Sequence, residues 1–475
     1  MDVHFFSVCC CLAVFFLLHS STSGSGGGSA LAQSIVRYLP GFDGPLPFEL
    51  ETGYTSVVDE YGGVEMFYYF ISSESKPSDD PLLFWFTGGP GCSGFSSIAF
   101  ENGPVSFKIT KYNGSLPTLK LNPFSWTKVS NIVFFDAPIG TGFSYSNNLN
   151  DYPSDKKSSK QAYNVIRKWL IDHPKFLSNA MYVGGDSYSG KTVPITVQHI
   201  SNGIEAGDKL LINFKGYLLG NPITDPDLGE YSTIQFAHGM GIISEELFES
   251  ITKNCKGEYV NINPDNVKCT KDIQRVSKCT NGLNRAHILE PHCLLVTPKP
   301  NEIIKERRLL EKNSPTTFAL PPVDPGFECR SYGYMLSYYW ANDKEVQKAL
   351  KIRKGMVQEW VRCNKEDLHY VYDVKASTGY HLNLSRKGYR SLIYSGDHDM
   401  IVPYMGTEAW IKSLNYSIID DWRSWFVGGQ VAGYTRTYAN NMTFATVKGG
   451  GHTAPEYKPC ECLAMLKRWL SYESL

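Results

Sequence analysis

At 475 residues the chain is long enough for two or three average domains, or for one α/β core that carries a large insertion. A composition of 42% hydrophobic and 20% charged residues speaks against a fibre, a disordered chain or a coiled coil. The 46 basic residues almost balance the 47 acidic ones, so charge gives no support for binding nucleic acid or a membrane surface, and a substrate must be recognised in a local pocket. The 13% aromatic content suits a deep apolar pocket, although a packed core is the commoner use of such residues.

Residues 1–32 read as a signal peptide. The apolar run Phe5 to Leu18 is too short to span a bilayer comfortably, and small polar residues follow it. Ala30-Leu31-Ala32 has the small-x-small form of a cleavage site, with an earlier cut near Ser23 as the alternative. The segment before the run carries Asp2 and no Lys or Arg, which leaves a signal anchor as the rival reading. No later segment is apolar for long enough to span a bilayer, so no membrane partner is expected for the mature form. Entry into the secretory pathway directs the protein to the vacuole or the cell exterior, where cysteines oxidise. Nine cysteines follow the leader, without a CxxC pair or a Cys/His cluster, so disulfides are expected and neither a metal nor a cofactor. Asn113, Asn383, Asn415 and Asn441 each begin an N-x-S/T sequon.

From residue 33 to 227 the pattern predicts the first part of an α/β core. Leu82 to Phe86, Asn131 to Phe135 and Ala180 to Val183 are continuous apolar runs bounded by turn residues, the mark of buried and mostly parallel strands. Lys156 to Ile171 carries Tyr163, Ile166, Trp169 and Leu170 at helical spacing. Residues 228–327 are helical, then cysteine-rich, then irregular, and read as an inserted cap. Its stretch Thr297 to Pro325 is rich in proline and contains Lys305, Arg307 and Arg308, so it is expected to be exposed and open to excision. The α/β pattern returns over 328–475, with strands at Ser391 to Tyr394 and Met442 to Val447 and a helix ending at Trp469.

Gly185-Asp186-Ser187-Tyr188-Ser189-Gly190 lies between a strand and a helix and approximates G-x-S-x-G, with Ser189 in place of the second glycine and Gly190 one position later. A nucleophile elbow needs small residues there because the turn is too tight for larger ones. The acid and the base should then follow at later strand ends. Asp397, directly after the strand ending at Tyr394, is taken as the acid, with Asp399 as the competitor two residues deeper in the loop. His452 follows Gly449-Gly450-Gly451 and is taken as the base. One oxyanion donor should be the N–H of Tyr188, and the other should come from the glycine-rich turn Thr87 to Cys92.

The segments WFTGGPGC (Trp85 to Cys92), DAPIGTGFS (Asp136 to Ser144), GGDSYSG (Gly184 to Gly190), SGDHDMIVP (Ser395 to Pro403) and GGGHTAP (Gly449 to Pro455) resemble the serine carboxypeptidase-like family of plants. The resemblance spans nearly the whole mature chain. It implies an α/β-hydrolase fold, a doubly wound sheet with a helical cap, and oxyanion donors at Gly89 and Tyr188. It also implies disulfides Cys92–Cys363, Cys255–Cys269 and Cys279–Cys329, with Cys293 as the alternative partner of Cys279. Excision of the cap loop would then leave two disulfide-linked chains.

The family contains carboxypeptidases and acyltransferases that use 1-O-β-glucose esters as donors. Carboxypeptidases typically have Asn where this chain has Thr87 and Glu where it has Asp186, beside Gly88 on the substrate side. The exchanges look like the acyltransferase branch, so the partners expected are an acyl glucose and a hydroxyl acceptor. The alternative is a serine carboxypeptidase that has drifted. If Cys92 bonds Cys363, Arg362 lies beside the oxyanion turn, where it binds an anionic or polyhydroxylated acceptor or serves only the structure. A catalytically silent binding glycoprotein is disfavoured by an intact triad.

Overall fold

The computed structural model describes residues 34–59, 62–148, 151–259, 262–293 and 326–475. Residues 1–32, expected from the sequence to be a signal peptide, and the stretch Thr297 to Pro325 with its basic cluster lie outside the described residues. Fourteen strands are described in chain order: β1 Ser34–Val36, β2 Leu50–Asp59, β3 Gly62–Ile71, β4 Leu82–Phe86, β5 Val105–Phe107, β6 Leu119–Leu121 and β7 Asn131–Phe135. They continue with β8 Tyr145–Ser146, β9 Met181–Asp186, β10 Phe214–Gly220, β11 Arg390–Gly396, β12 Ile418–Val427, β13 Gln430–Tyr438 and β14 Met442–Val447.

Twelve of these strands form one sheet in the order β1-β2-β3-β7-β4-β9-β10-β11-β14-β13-β12, with β8 paired to β3. The six strands from β7 to β14 along that order are parallel, and the flanking ones are antiparallel. Parallel strands must be covered on both faces, and the sequence supplies apolar residues on both. Leu83, Trp85, Phe134, Tyr182 and Leu218 face one core, while Phe84, Phe86, Val133, Val183 and Leu219 face the other. Helices α1 Asp155–Asp172 and α2 Ser189–Glu205 cover the second face through Val165, Ile166, Trp169, Val193 and Val197. The helices Arg330–Ala341 and Pro459–Leu470 cover the first through Met335, Leu336, Trp340, Met465 and Leu466. This is the α/β-hydrolase architecture the resemblance implied.

Between β10 and β11 the chain leaves the sheet. Helices Pro226–Gly239, Glu245–Cys255 and Val267–Thr280 pack round a smaller core of Ile234, Phe236, Ile243, Leu247, Ile251 and Val276. Cys255–Cys269 staples the last two of these helices. The third disulfide corrects the sequence reading: Cys329 bonds Cys293, and Cys279 is a free, exposed thiol with neither partner considered for it. Cys329 lies directly before the helix Arg330–Ala341, and it is Cys293, beyond the end of the helix Val267–Thr280, that meets it there. No helix among the described residues is long and apolar enough to cross a membrane.

Candidate active site

All six parallel strands end on the same edge, so the loops after β4, β9, β10, β11 and β14 converge there. Ser187 sits between β9 and α2 at φ 54°, a conformation a non-glycine residue adopts only when its surroundings impose it. Here the imposition is tight. The Ser187 N–H donates to Gly220 O at 2.8 Å, and the Ser187 carbonyl accepts from Ile223 N at 2.8 Å and Gly190 N at 3.0 Å. A Cβ at Gly190 would fall 2.6 Å from Pro222 Cβ, and one at Gly185 would fall 2.6 Å from Ser189 Cβ, so both glycines of the motif are steric requirements.

Ser187 Oγ is 2.8 Å from His452 Nε2, and His452 Nδ1 is 2.8 Å from Asp399 Oδ2. The acid of the triad is therefore Asp399, which corrects the choice of Asp397. Asp397 N still pairs with Val447 O as an extension of β11, and its Oδ1 accepts from His398 Nδ1 at 2.6 Å and Gly449 N at 2.7 Å, away from the imidazole of His452. The turn closed by Asp399 N and Gly396 O brings the chain back, and that places the later aspartate beneath His452. Asp399 is fully buried and surrounded by donors. Its Oδ2 also accepts from Asn221 Nδ2 at 2.8 Å, and its Oδ1 accepts from Ile401 N at 2.7 Å and Val402 N at 3.2 Å.

Asn221 was not singled out in the sequence. It follows β10 directly, is fully buried, and also takes the Gly396 N–H on its Oδ1 at 3.1 Å, so it ties the acid loop to the neighbouring strand. Its signal was a polar residue closing an apolar strand at the same edge as the others. Burial opposes charge on His452, but the adjoining Asp399 carboxylate outweighs it and raises the imidazole above its ordinary value. Asp186 adds to the rise and Lys365 opposes it.

The turn after β4 lies against the elbow. A Cβ on Gly88 would stand 2.6 Å from Ser187 Cβ and 3.0 Å from Tyr188 N. Cys92–Cys363 and the bond from Asn364 N to Gly91 O (2.8 Å) anchor this turn to the segment that carries Arg362. The N–H groups of Gly89 and Tyr188 make no hydrogen bond with other described residues. Arg362 lies where the disulfide argument placed it, with its guanidinium 4.0 Å above the Tyr334 ring and NH1 donating to Ser96 Oγ at 3.0 Å.

Thr87 and Asp186 are both buried, and both are engaged internally. Thr87 Oγ1 lies 2.9 Å from Ser97 Oγ, which donates to Glu101 Oε2 at 3.1 Å, and Asp186 Oδ1 accepts from Gly88 N at 3.0 Å. Glu101, at the end of the π-helical turn Ser97–Glu101, is a second buried acid to which the sequence reading gave no role. Burial pushes Asp186 up to about 6 against the pull of His452, the Gly88 N–H and Arg362. Burial and the nearby Asp186 push Glu101 well above the ordinary range. Below about pH 6 Asp186 therefore offers an O–H donor rather than charge, and Glu101 is shifted in the same direction, toward its neutral form. Among the described residues no group of His, Cys, Asp and Glu is set to hold a metal ion.

The family model for serine carboxypeptidases matches residues 40–472. "Serine carboxypeptidase-like 17" of Arabidopsis thaliana is 51% identical over 443 residues, covering 93% of this chain and 94% of that protein. "Serine carboxypeptidase-like 19" of the same plant is 50% identical over 450 residues, covering 94% and 95%. Among solved structures, Kex1(delta)p, a prohormone-processing carboxypeptidase from Saccharomyces cerevisiae, superposes with a TM-score of 0.71 at 19% identity, covering 92% of this chain and 96% of its own. That last likeness speaks for the fold alone.

Proposed function

Because the chain belongs to the serine carboxypeptidase family, we propose that it uses Ser187 to move an acyl group from a 1-O-β-glucose ester to an acceptor hydroxyl. The observation that carries this reading is a complete serine triad beside a substrate floor in which Thr87 has no amide to offer and Asp186 is one methylene shorter than Glu. Loss of a charge-assisted hydrogen bond to a peptide's terminal carboxylate weakens binding by about 1.5–3 kcal/mol.

In this mechanism His452 Nε2 takes the Ser187 Oγ proton as Oγ attacks the ester carbonyl. The N–H groups of Gly89 and Tyr188 receive the oxyanion, and Asp399 holds the Nδ1–H tautomer and the imidazolium that forms. His452 returns the proton to the departing glucose oxygen, which leaves an acyl group on Ser187. The acceptor then enters and gives its hydroxyl proton to His452 as its oxygen attacks the acyl carbonyl, and Oγ departs, taking that proton back from His452. Transfer outruns hydrolysis when the acceptor is held and water is kept out, which is the role we give Arg362 and the cap. An aromatic acyl group suits the aromatic composition.

A second reading, a serine carboxypeptidase acting at acid pH, is favoured by the buried pair Glu101 and Asp186. Asp186 protonated below about pH 6, with Glu101 shifted toward its neutral form beside it, would still donate a hydrogen bond to a terminal carboxylate. We further propose secretion to the vacuole or the cell exterior with glycosylation at Asn113, Asn383, Asn415 and Asn441, all of which are exposed. If the cap is cut within Thr297 to Pro325, the Cys293–Cys329 bond would join the two resulting chains.

The deciding experiment incubates the purified glycoprotein with a hydroxycinnamoyl or galloyl glucose and a plant metabolite extract, with a blocked dipeptide in parallel. New ester that is absent with Ser187→Ala supports transfer and identifies the acceptor. Released C-terminal amino acid without ester supports the peptidase.

A further inference from the structure

The loop that carries His452 has almost nothing with which to hold itself. Gly449, Gly450 and Gly451 have no side chains to pack, and glycine is the residue with the most backbone freedom to lose. Yet His452 must keep its ring within 2.8 Å of both Ser187 and Asp399. The restraint comes from outside the loop.

The N–H of Gly449 donates to Asp397 Oδ1 at 2.7 Å. Its carbonyl is met from the cap by His287 Nε2 at 3.2 Å. The tautomer of His287 follows from its other nitrogen: Leu289 N–H donates to Nδ1 at 3.3 Å, so the ring proton sits on Nε2 and points at Gly449. His398 fills the space between, with Nδ1 donating to the same Asp397 oxygen and its ring stacked on His287 at 5.5 Å and 14°. Tyr457 closes the other side of His287, with ring centroids 4.7 Å apart.

The main chain repeats the grip. His452 N donates to Ala286 O at 2.7 Å, His398 N to Gly450 O at 2.9 Å, Ile288 N to His398 O at 3.1 Å and Met400 N to Arg285 O at 2.8 Å. A Cβ on Gly451 would stand 2.5 Å from Ala286 O, so loop and cap are in backbone contact.

We propose that His287 and Asp397 are positioning residues for the reaction: they hold Gly449 from opposite sides, and through it they fix His452. The cap segment 285–288 is then part of the catalytic machinery as well as a cover over the sheet. Neither side chain hydrogen-bonds to Ser187 or to the imidazole of His452, so the effect is transmitted by the glycine loop. Displacing a catalytic group by about 1 Å is enough to lower a rate about a hundredfold, and removing one of several grips should cost less than that.

The test uses the full-length glycoprotein and an activated ester, p-nitrophenyl acetate, which either an acyltransferase or a peptidase of this kind would turn over. It therefore stands apart from the choice between those readings. His287→Ala is expected to lower kcat about tenfold with KM and melting temperature little changed, and to slow labelling of Ser187 by a fluorophosphonate in proportion. His287→Gln, whose amide can donate to Gly449 O, is expected to restore most of the rate. A kcat for His287→Ala within about twofold of the parent, or a loss that Gln does not repair, overturns the proposal. Should His287→Ala fail to fold, Asp397→Ala and Asp397→Asn decide the matter from the other side of Gly449. Asn keeps an oxygen for the Gly449 N–H and should be the faster of the two, and equal rates would overturn the proposal.

Discussion

The nucleophile and its base are held in different ways. Ser187 is placed by a strand end, a left-handed residue, a helix start and flanking glycines that admit no Cβ, with the backbone of Gly220 and Ile223 after the neighbouring strand closing on it. His452 and Asp399 sit on loops without regular structure, joined to each other, to β10 through Asn221 and to the cap through residues 285–288. On the first side the backbone of a few residues decides the geometry. On the second it is distributed over segments as far apart in sequence as Ala286 and His452. A local device should fail abruptly when one atom is added. A distributed one should fail in steps as its partners are removed.

The sharpest test lies within the acid loop, where two aspartates stand two residues apart. Asp399→Asn removes the carboxylate that fixes the His452 tautomer, and kcat on an activated ester should fall by about 10⁴. Asp397→Asn, which alters only an outer support, should lose less than about tenfold. Equal losses would erase the distinction between acid and support. On the local side, Gly88→Ala places a methyl 2.6 Å from Ser187 Cβ and 2.7 Å from Asp186 O. We expect kcat to fall about 10²–10³ with the fold intact by circular dichroism, because the oxyanion turn must move away from the elbow.

The next effect is one of pH. Asp186 has an ordinary value of 3.8 and is pushed up to about 6 in the folded protein, chiefly by burial. Between those two values the folded chain keeps a proton that the unfolded chain releases. Its contribution to stability is therefore full below about pH 4 and declines as pH rises to about 6. Melting temperatures measured from pH 4 to 6.5 should show a shallower decline in Asp186→Asn than in the parent. Asp136 is also fully buried and raised to about 6, so a residual slope should remain. The same titration makes an anionic substrate or inhibitor bind less well above pH 6, and Asp186→Asn should flatten that limb.

The contrast between the two sides also explains what could be read in the sequence. The central strands were legible because strands buried on both faces write continuous apolar runs, as in Leu82–Phe86 and Asn131–Phe135. The edge strand β12 was not, because Asp420, Asp421 and Arg423 interrupt it and only Trp425 in it is buried. Ser187 and His452 could be placed because glycines mark their turns. Asp397 and Asp399 could not be told apart, since both occupy one loop, and the choice rests on Asn221, Ile401 and Val402 closing round the second. Glu101 was visible as a residue, but its meaning depends on Asp186, 85 positions away in sequence and near enough in the fold for its charge to raise Glu101.

Cysteine pairing in the cap shows the same limit. Spacing alone permits several connectivities, and the one the resemblance implied for Cys279 is not the one formed. Cys279 is exposed and free, so Cys279→Ser should leave activity unaltered and stability within about 0.5 kcal/mol of the parent. Cys293→Ser opens a loop of sequence separation 36 and should destabilise by roughly 2–4 kcal/mol, read as a lower melting temperature. Because Cys329 directly precedes the helix whose Arg330 binds Glu290, two residues beyond Ile288, opening this bond should also loosen the cap segment 285–288 and lower kcat slightly. The reverse pattern, a silent Cys293→Ser and a destabilised Cys279→Ser, would restore the 279–329 pairing. It would also move the covalent link to the helix Arg330–Ala341 from Cys293 to the cap helix Val267–Thr280.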